Sequence, residues 1–428
     1  MKSTVLNFLN KYGLNPDLID MQAATDEFVR QMESGNSGDI KSLLMIPTYI
    51  GVQSEVPKNE PIIVMDAGGT NFRIATITFD ATGKPVIENF SKQPMPGTQG
   101  ELTADEFFDT LANLIKPFDK ISNKVGFCFS FPTEILPSCD GRLINFNKEV
   151  KVKDVAGRII GEGINNSLKK MGCTEKHFVI INDTVATMLG AIAEYPDKDF
   201  DSYIGFILGT GTNTCYIEQC EKISKLEVKN TGAMAVNIET GSFDGFHRGE
   251  IDLRFDATTS NCGDHVFEKM ISGAYQGSLI CMTLKQAAAD GLFSAKTAEN
   301  IAATQDLTMR QIDEFCENVS EGFIASLISS EDDRSTVFEI IDAAFERSAK
   351  TVCVNLGAVM LKSGCGADKA RPICISAEGT TFYKSVLFRP KLDRYVKEFI
   401  NDKLGLYCEF VSTQDSTLVG SAVAGLLN

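Results

Sequence analysis

The chain has 428 residues, 43% apolar and 23% charged, which excludes an intrinsically disordered protein and leaves room for two or three domain-sized units. A net charge of −16 and a pI near 4.8 speak against a nucleic-acid partner, because phosphate contacts need clustered Lys and Arg. No apolar run of about 18 residues exists to span a bilayer, and the start MKSTVLNFLNKYGLN is too polar for a signal peptide, so a cytoplasmic protein without a membrane partner is expected.

Residues 3–34 carry spaced apolar side chains (Val5, Leu6, Leu9, then Met21, Phe28, Val29, Met32) and read as helices ended by GNSG. SLLMIPTYIG follows as a strand or loop entering the body. From Pro61 come the strands PIIVMDA, FRIATITFD and PVIENFS, a helix near 103–116, and the buried strand KVGFCFSFP stopped by Pro132. A helix near 154–171 leads to the strand HFVIIND and the helical TVATMLGAIAEY. SYIGFILG and TNTCYIEQC again read strand–turn–strand; 263–350 is mostly helical, a strand lies near 373–376 and a last helix near 416–427. Strands alternating with helices predict an α/β architecture of two lobes.

The usual nucleotide signatures are missing: no GxxxxGK[ST], no GxGxxG opening a helix after a strand, no HRD or DFG. The 12 cysteines contain no CxxC pair and many sit in apolar runs, as Cys128, Cys215 and Cys353 do. They read as reduced core residues, with a zinc site as the lesser alternative. His177, His247 and His265 show no metal-ligand spacing.

One internal echo stands out. Gly69-Thr70-Asn71 and Gly211-Thr212-Asn213 each lie between two apolar strands, as if each half opened with the same hairpin. Glycine lets backbone N–H groups approach an anion, the hydroxyls of Thr70 and Thr212 can add donors, and Asp66 at the strand end suits Mg²⁺ held through water. Tight turns with a capping Asp fit the same residues. In VIINDTVATM, Asn182 and Asp183 stand where a strand gives way to a helix. Asp183 there serves as an N-cap, as a general base on a substrate hydroxyl, or as both.

These motifs together resemble the hexokinases of the actin–Hsp70–sugar-kinase fold. DAGGTNFR and GFILGTGTNTCYIE are similar to that family's two phosphate hairpins, FCFSFP to its sugar-binding strand, LINFNKEV to its sugar loop, and VIINDTVATM to the segment with the catalytic Asp. VNIETGSFDGF, VFEKMISGAY, SAEGTTFYK and DSTLVGSAVAG follow in the family's order, and QAATDEFVRQMESGNSGDIKSLLMIPTYI resembles its N-terminal helix and strand. The resemblance implies a duplicated, two-lobed actin-like ATPase (ribonuclease H-like) fold with a cleft between a small and a large lobe. The implied regions are 1–198, holding the N-terminal helix and a small lobe at about 60–182, and 199–428, whose final helix returns towards the small lobe.

The resemblance further implies transfer of the γ-phosphoryl of ATP, with Mg²⁺, to the 6-hydroxyl of a hexose, most often glucose. Asp183 would be the base. Ser130, Asn147, Lys148, Asn182, Asn213, Glu239 and Ser278 would lie at the sugar. Asp66, Gly68, Gly69, Thr70, Asn71 and Arg73 would face Mg-ATP from one lobe, Gly211 and Thr212 from the other, and Gly420 would lie near the adenosine. Two positions depart from the family: Asn147 stands where Thr is usual, and Gln276-Gly277-Ser278 where Leu-Gly-Glu is usual. A hydrogen bond to a charged group contributes roughly 1.5–3 kcal/mol against about 1 for a neutral one, so Ser278 predicts weaker glucose affinity or a shifted preference towards mannose or fructose. A weakly catalytic sugar sensor of this fold is the other alternative. Oligomeric state is left open.

Overall fold

Residues 1–52, 55–146, 150–226 and 232–428 are described by the computed structural model. Apolar residues three and four apart make α1 (Ser3–Lys11) and α2 (Met21–Ser37), the second opened by Asp20, whose side chain accepts from the N–H groups of Gln22 and Ala23. α2 runs through the GNSG expected to stop it and ends at Gly38, in the left-handed region at φ 92°. Gly35 stays helical because the helix lies hard against the following chain; a Cβ there would meet Met45 Cγ at 2.5 Å. That chain leads into β1 (Ile46–Gly51).

The first sheet comprises β2 (Ile62–Ala67), β3 (Asn71–Phe79), β4 (Pro85–Pro94), β5 (Lys124–Phe129) and β6 (His177–Ile181), in the order β6-β5-β2-β3-β4. β2, β3 and β4 form an antiparallel meander, and β5 and β6 join parallel on the other side of β2. β2 is buried along its whole length, as a central strand covered on both faces must be. α3 (Ala104–Ile115), opened by a Thr103–Glu106 capping box, and α4 (Ile160–Lys170) pack on one face. α4 starts at Ile160 and not near 154, because Asp154 and Gly157 take positive φ and hold a turn there.

The second sheet repeats the pattern. β7 (Tyr203–Leu208), β8 (Thr212–Gln219) and β9 (Ala233–Asn237) form the meander, and β10 (Ile373–Glu378) and β11 (Cys408–Val411) join parallel beyond β7, in the order β11-β10-β7-β8-β9. β1 adds an antiparallel strand outside β9. In both sheets the fifth strand runs into a helix: α5 (Asp183–Glu194) follows β6. Between β9 and β10 lie α6 (Val266–Ile271), α7 (Gln276–Ala289) and the long α8 (Glu331–Ser363); after β11 comes α9 (Ser416–Leu427).

The cores follow this plan. α1, α2, α7 and α8 share one hydrophobic cluster with β7–β10, so the N-terminal helices belong to the core of the second sheet. Another cluster joins α5 and α9 to side chains from both sheets, including Val64 and Val179 of the first and Cys215 and Ala235 of the second. The two helices that end the repeated units thus lie between them. All 12 cysteines are free. No helix among the described residues is long and apolar enough to cross a membrane.

Candidate active site

The two hairpins close with turns of different size, two residues between the bonded pair in the first and one in the second. Gly68 N–H donates to Asn71 O at 3.0 Å, and Gly209 N–H to Gly211 O at 2.9 Å. Around the first turn the space is open. Neither Gly68 nor Gly69 takes a positive φ, a Cβ at Gly69 would meet nothing within 4 Å, and one at Gly68 would meet Asn71 O at 3.7 Å. Nothing in the protein demands glycine here, so the bare backbone is free for a ligand. Thr70 and Asn71 are exposed beside it, the Asn71 amide donating to the Thr70 hydroxyl at 2.9 Å.

Asp66, next to last in β2, lies opposite Arg73 of β3 in register. Its Oδ2 accepts from Arg73 Nε at 2.8 Å, from Arg73 Nη2, and from the Thr417 hydroxyl at 3.2 Å. Arg73 also donates to Thr417 Oγ1 at 2.7 Å and lies 3.6 Å from Asp415 Oδ1. The start of α9 is thereby tied to the first hairpin. Asp415 stands in the left-handed region at φ 48°, uncommon for a residue with a Cβ.

The second turn is built differently. Thr212 N–H donates to Glu268 Oε2 of α6 at 2.9 Å, and a Cβ at Gly211 would lie 2.5 Å from that oxygen. The Thr212 hydroxyl donates inward to Ile207 O at 2.9 Å, so it is not the outward donor expected.

Beyond this turn lies a cluster of amides and acids at the ends of β6, β8 and β9. Asn213 Nδ2 donates to Asn237 Oδ1 at 2.7 Å, to Glu239 Oε1 at 3.3 Å and, more weakly, to Asn182 Oδ1 at 3.5 Å. Asn237 Nδ2 donates to Glu239 Oε1 at 2.7 Å. Glu239 sits at φ 62°, and burial raises its carboxyl pKa, with Glu268 adding to the rise while Asn237 and His265 oppose it. Asn182 is the N-cap of α5, its Oδ1 accepting from Thr184 N–H at 2.9 Å, and Asp183 is the first helical residue. Asp183 Oδ1 also accepts from Thr184 N–H, at 2.8 Å. Burial, then the charge of Glu239, push the Asp183 carboxyl up to about 6, against the Thr184 bond; Asp66 adds a smaller push.

The structure thus brings Asn182, Asp183, Asn213 and Glu239 together, with Asp66, Arg73 and the two turns beside them. Ser130 follows β5 next to the end of β2, its N–H on Ala67 O at 3.1 Å. Asn147 and Lys148 lie outside the described residues. Ser278 is not drawn into the cluster; its hydroxyl donates to Asp306 Oδ2 at 2.6 Å. Gly420 packs where α9 crosses α5, a Cβ there lying 1.9 Å from Ala186 O, so helix packing alone already requires glycine at this position.

Several residues at the site were not singled out from the sequence: Asn237, Glu268, Asp415, Thr417 and Glu378. Glu378 ends β10 and accepts from the Ser416 hydroxyl; burial raises its pKa, with Asp183 and Asp66 adding and Arg73 opposing. A polar residue closing an apolar strand, as in AMAVN, is the signal that marks Asn237. Among the described residues no three His, Cys, Asp or Glu side chains converge to hold a metal ion.

Two copies of one five-stranded unit, each presenting a glycine turn to a shared acid–amide site, define a two-lobed sugar kinase. A family model described as Hexokinase matches residues 7–193 and another of the same description residues 203–427; the chain belongs to the hexokinase family, the ATP:hexose phosphotransferases. It is 27% identical over 434 residues to Hexokinase-3 of Oryza sativa subsp. japonica, covering 94% of this chain and 86% of that protein. To the Glucokinase of Aspergillus niger it is 26% identical, covering 90% and 87%. Hexokinase-2 of Rattus norvegicus is 28% identical over 92% of this chain, which spans 45% of that longer relative. Among solved structures, a hexokinase from Schistosoma mansoni complexed with glucose superposes with a TM-score of 0.79 at 20% identity, covering 99% of this chain and 98% of the other.

Proposed function

We propose that the chain phosphorylates the 6-hydroxyl of a hexose, glucose foremost, with Asp183 as general base and ATP gripped between the two glycine turns. The observation that carries this reading is the Asp183 carboxyl, pushed up to about 6 beside the Asn182–Asn213–Glu239 cluster. A base poised near the working pH accepts a hydroxyl proton best, and the amides supply donors and acceptors that orient a polyol. Asn182, whose side chain caps α5, fixes the first turn of the helix on which Asp183 rides.

Mg²⁺ suits these residues. Asp66 brings one hard-oxygen ligand to the end of the first hairpin and no three-acid cage exists among the described residues, which is how Mg²⁺ arrives with nucleotide phosphates and meets protein through one carboxylate. When bound it neutralises phosphate charge. Asp66 would hold it through water, while Thr70 and the amide of Gly69, beside Gly68, would face the phosphates and Arg73 would add positive charge. The adenosine would lie beyond the start of α9, and the reading keeps the protein cytoplasmic.

A second reading, another hexose as preferred substrate, draws support from Ser278, whose hydroxyl is turned to Asp306. A coupled ADP-release assay across glucose, mannose and fructose tests both. Turnover highest on glucose is expected; turnover on none would overturn the catalytic reading and leave a sugar sensor.

A further inference from the structure

α8 is apolar from 352 to 359 except at Asn355, which is fully buried. A buried amide destabilises a fold unless hydrogen bonds meet it, so this one points to a partner. Asn355 Nδ2 donates to the Thr214 hydroxyl of β8 at 2.8 Å. The Thr214 hydroxyl in turn shares a hydrogen bond with that of Thr240 at 3.3 Å, and both threonines are fully buried. The backbone N–H groups of the same two threonines donate to Asn213 Oδ1, at 2.7 Å from Thr214 and 3.3 Å from Thr240. With its oxygen held from this side, Asn213 turns its Nδ2 to Asn237, Glu239 and Asn182. Thr240 directly follows Glu239, which stands at φ 62°, so the same hydroxyl bond steadies the backbone that carries Glu239.

We propose that Asn355, Thr214 and Thr240 form a strut that runs from α8 to the acid–amide cluster and fixes the orientation of the Asn213 amide. This rests on the reading that Asn213 and Glu239 lie at the sugar. The three are positioning residues and act through Asn213 and Glu239. Sugar hydroxyls are recognised by where donors and acceptors point, and an amide already held in one orientation loses little freedom on meeting one. A chain of hydrogen bonds among fully buried groups can hold it, because bulk water does not compete there. α8 shares one core with the N-terminal helices, so the strut ties the cluster to that core.

The test compares wild type with Thr214→Val and with Thr214→Val combined with Asn355→Ala. The single change leaves the Asn355 amide unmet and should lower the melting temperature; the double change removes both partners and should melt closer to wild type. In the double variant, calorimetric titration is expected to show glucose binding weakened about five- to tenfold, the order of one neutral hydrogen bond, with Mg-AMPPNP binding unchanged. KM for glucose should rise by the same factor while kcat stays within about twofold, because the Asp183 carboxyl takes no part in the strut. Hydrogen exchange of the peptide spanning 237–243, measured without sugar, should quicken about tenfold. Glucose affinity equal to wild type, or unchanged exchange at 237–243, would overturn the proposal. Equal weakening of glucose and Mg-AMPPNP would show general loosening and would overturn it too. A wild type that binds no hexose would instead count against the proposed activity, and the exchange comparison would still decide the strut.

Discussion

The two hairpins occupy the same place in their sheets but close with turns of different size and hold different things. The first carries a fixed pair, Asp66 with Arg73, beside an open exposed turn. The second carries no such pair; its turn is filled by a carboxylate from a distant helix and its threonine hydroxyl points inward. A duplicated unit has kept its strand order and divided its chemistry. Glu268 requires glycine in the second turn, and nothing within the chain requires it in the first.

The largest expected effect comes from the helices that leave the two units. α5 begins with Asp183, one residue after its cap, and α9 is preceded by Asp415 at the cap position itself. Asp183→Ala is expected to lower kcat by about 10²–10⁴-fold with hexose binding largely retained. Asp415→Ala, which loses only a 3.6 Å contact to Arg73, should lower it less than about tenfold. Steady-state kinetics with equilibrium sugar binding checks both, and equal losses would erase the distinction between the two halves.

The turns themselves come next. Gly211→Ala forces a Cβ into Glu268 and should cost about 1–3 kcal/mol of stability in thermal melts. Gly69→Ala meets nothing, so it should stay within about 0.5 kcal/mol of wild type while raising KM for ATP. A Gly69→Ala protein that melts early would break the contrast.

The smallest effect is on stability against pH. Asp183 is raised from 3.8 to about 6 on folding, so the fold favours its neutral form. The wild type therefore loses stability as pH rises through this window, and the loss is complete above about 6. Asp183→Asn, neutral throughout, should melt above wild type at pH 7, and the difference should vanish below the ordinary value of 3.8. Activity has the opposite sign: kcat/KM should rise as pH passes about 6, because the base must be ionised.

The paired hairpins and the strand-to-helix junction at Asn182-Asp183 were legible because each is written in a few consecutive residues. Glu268 was not, although VFEKMISGAY was singled out: one acid in an amphipathic stretch reads as a solvated face, and only its meeting with Thr212, far away in the chain, gives it a role. Glu378 and Thr417 were hidden for the same reason. The packing demand at Gly420 was hidden because a glycine near a ligand and a glycine under a crossing helix look alike in sequence. The GNSG stop failed because Gly35 is held helical by Leu43 and Met45, contacts that local propensity does not contain.

The crossing of α5 and α9 is close enough to act as a mechanical part. Gly420 meets the backbone of Ala186, Gly190 that of Ser416, and Gly126 of β5 that of Ser421, with no side chain between them. Backbones in such contact move as one rod. Gly205 of β7 meets the backbone of Thr184 in the same way, so the helix pair is wedged directly against a strand of each sheet. The start of α5, with Asp183, is thus anchored at a place where both halves of the molecule touch without side chains between them.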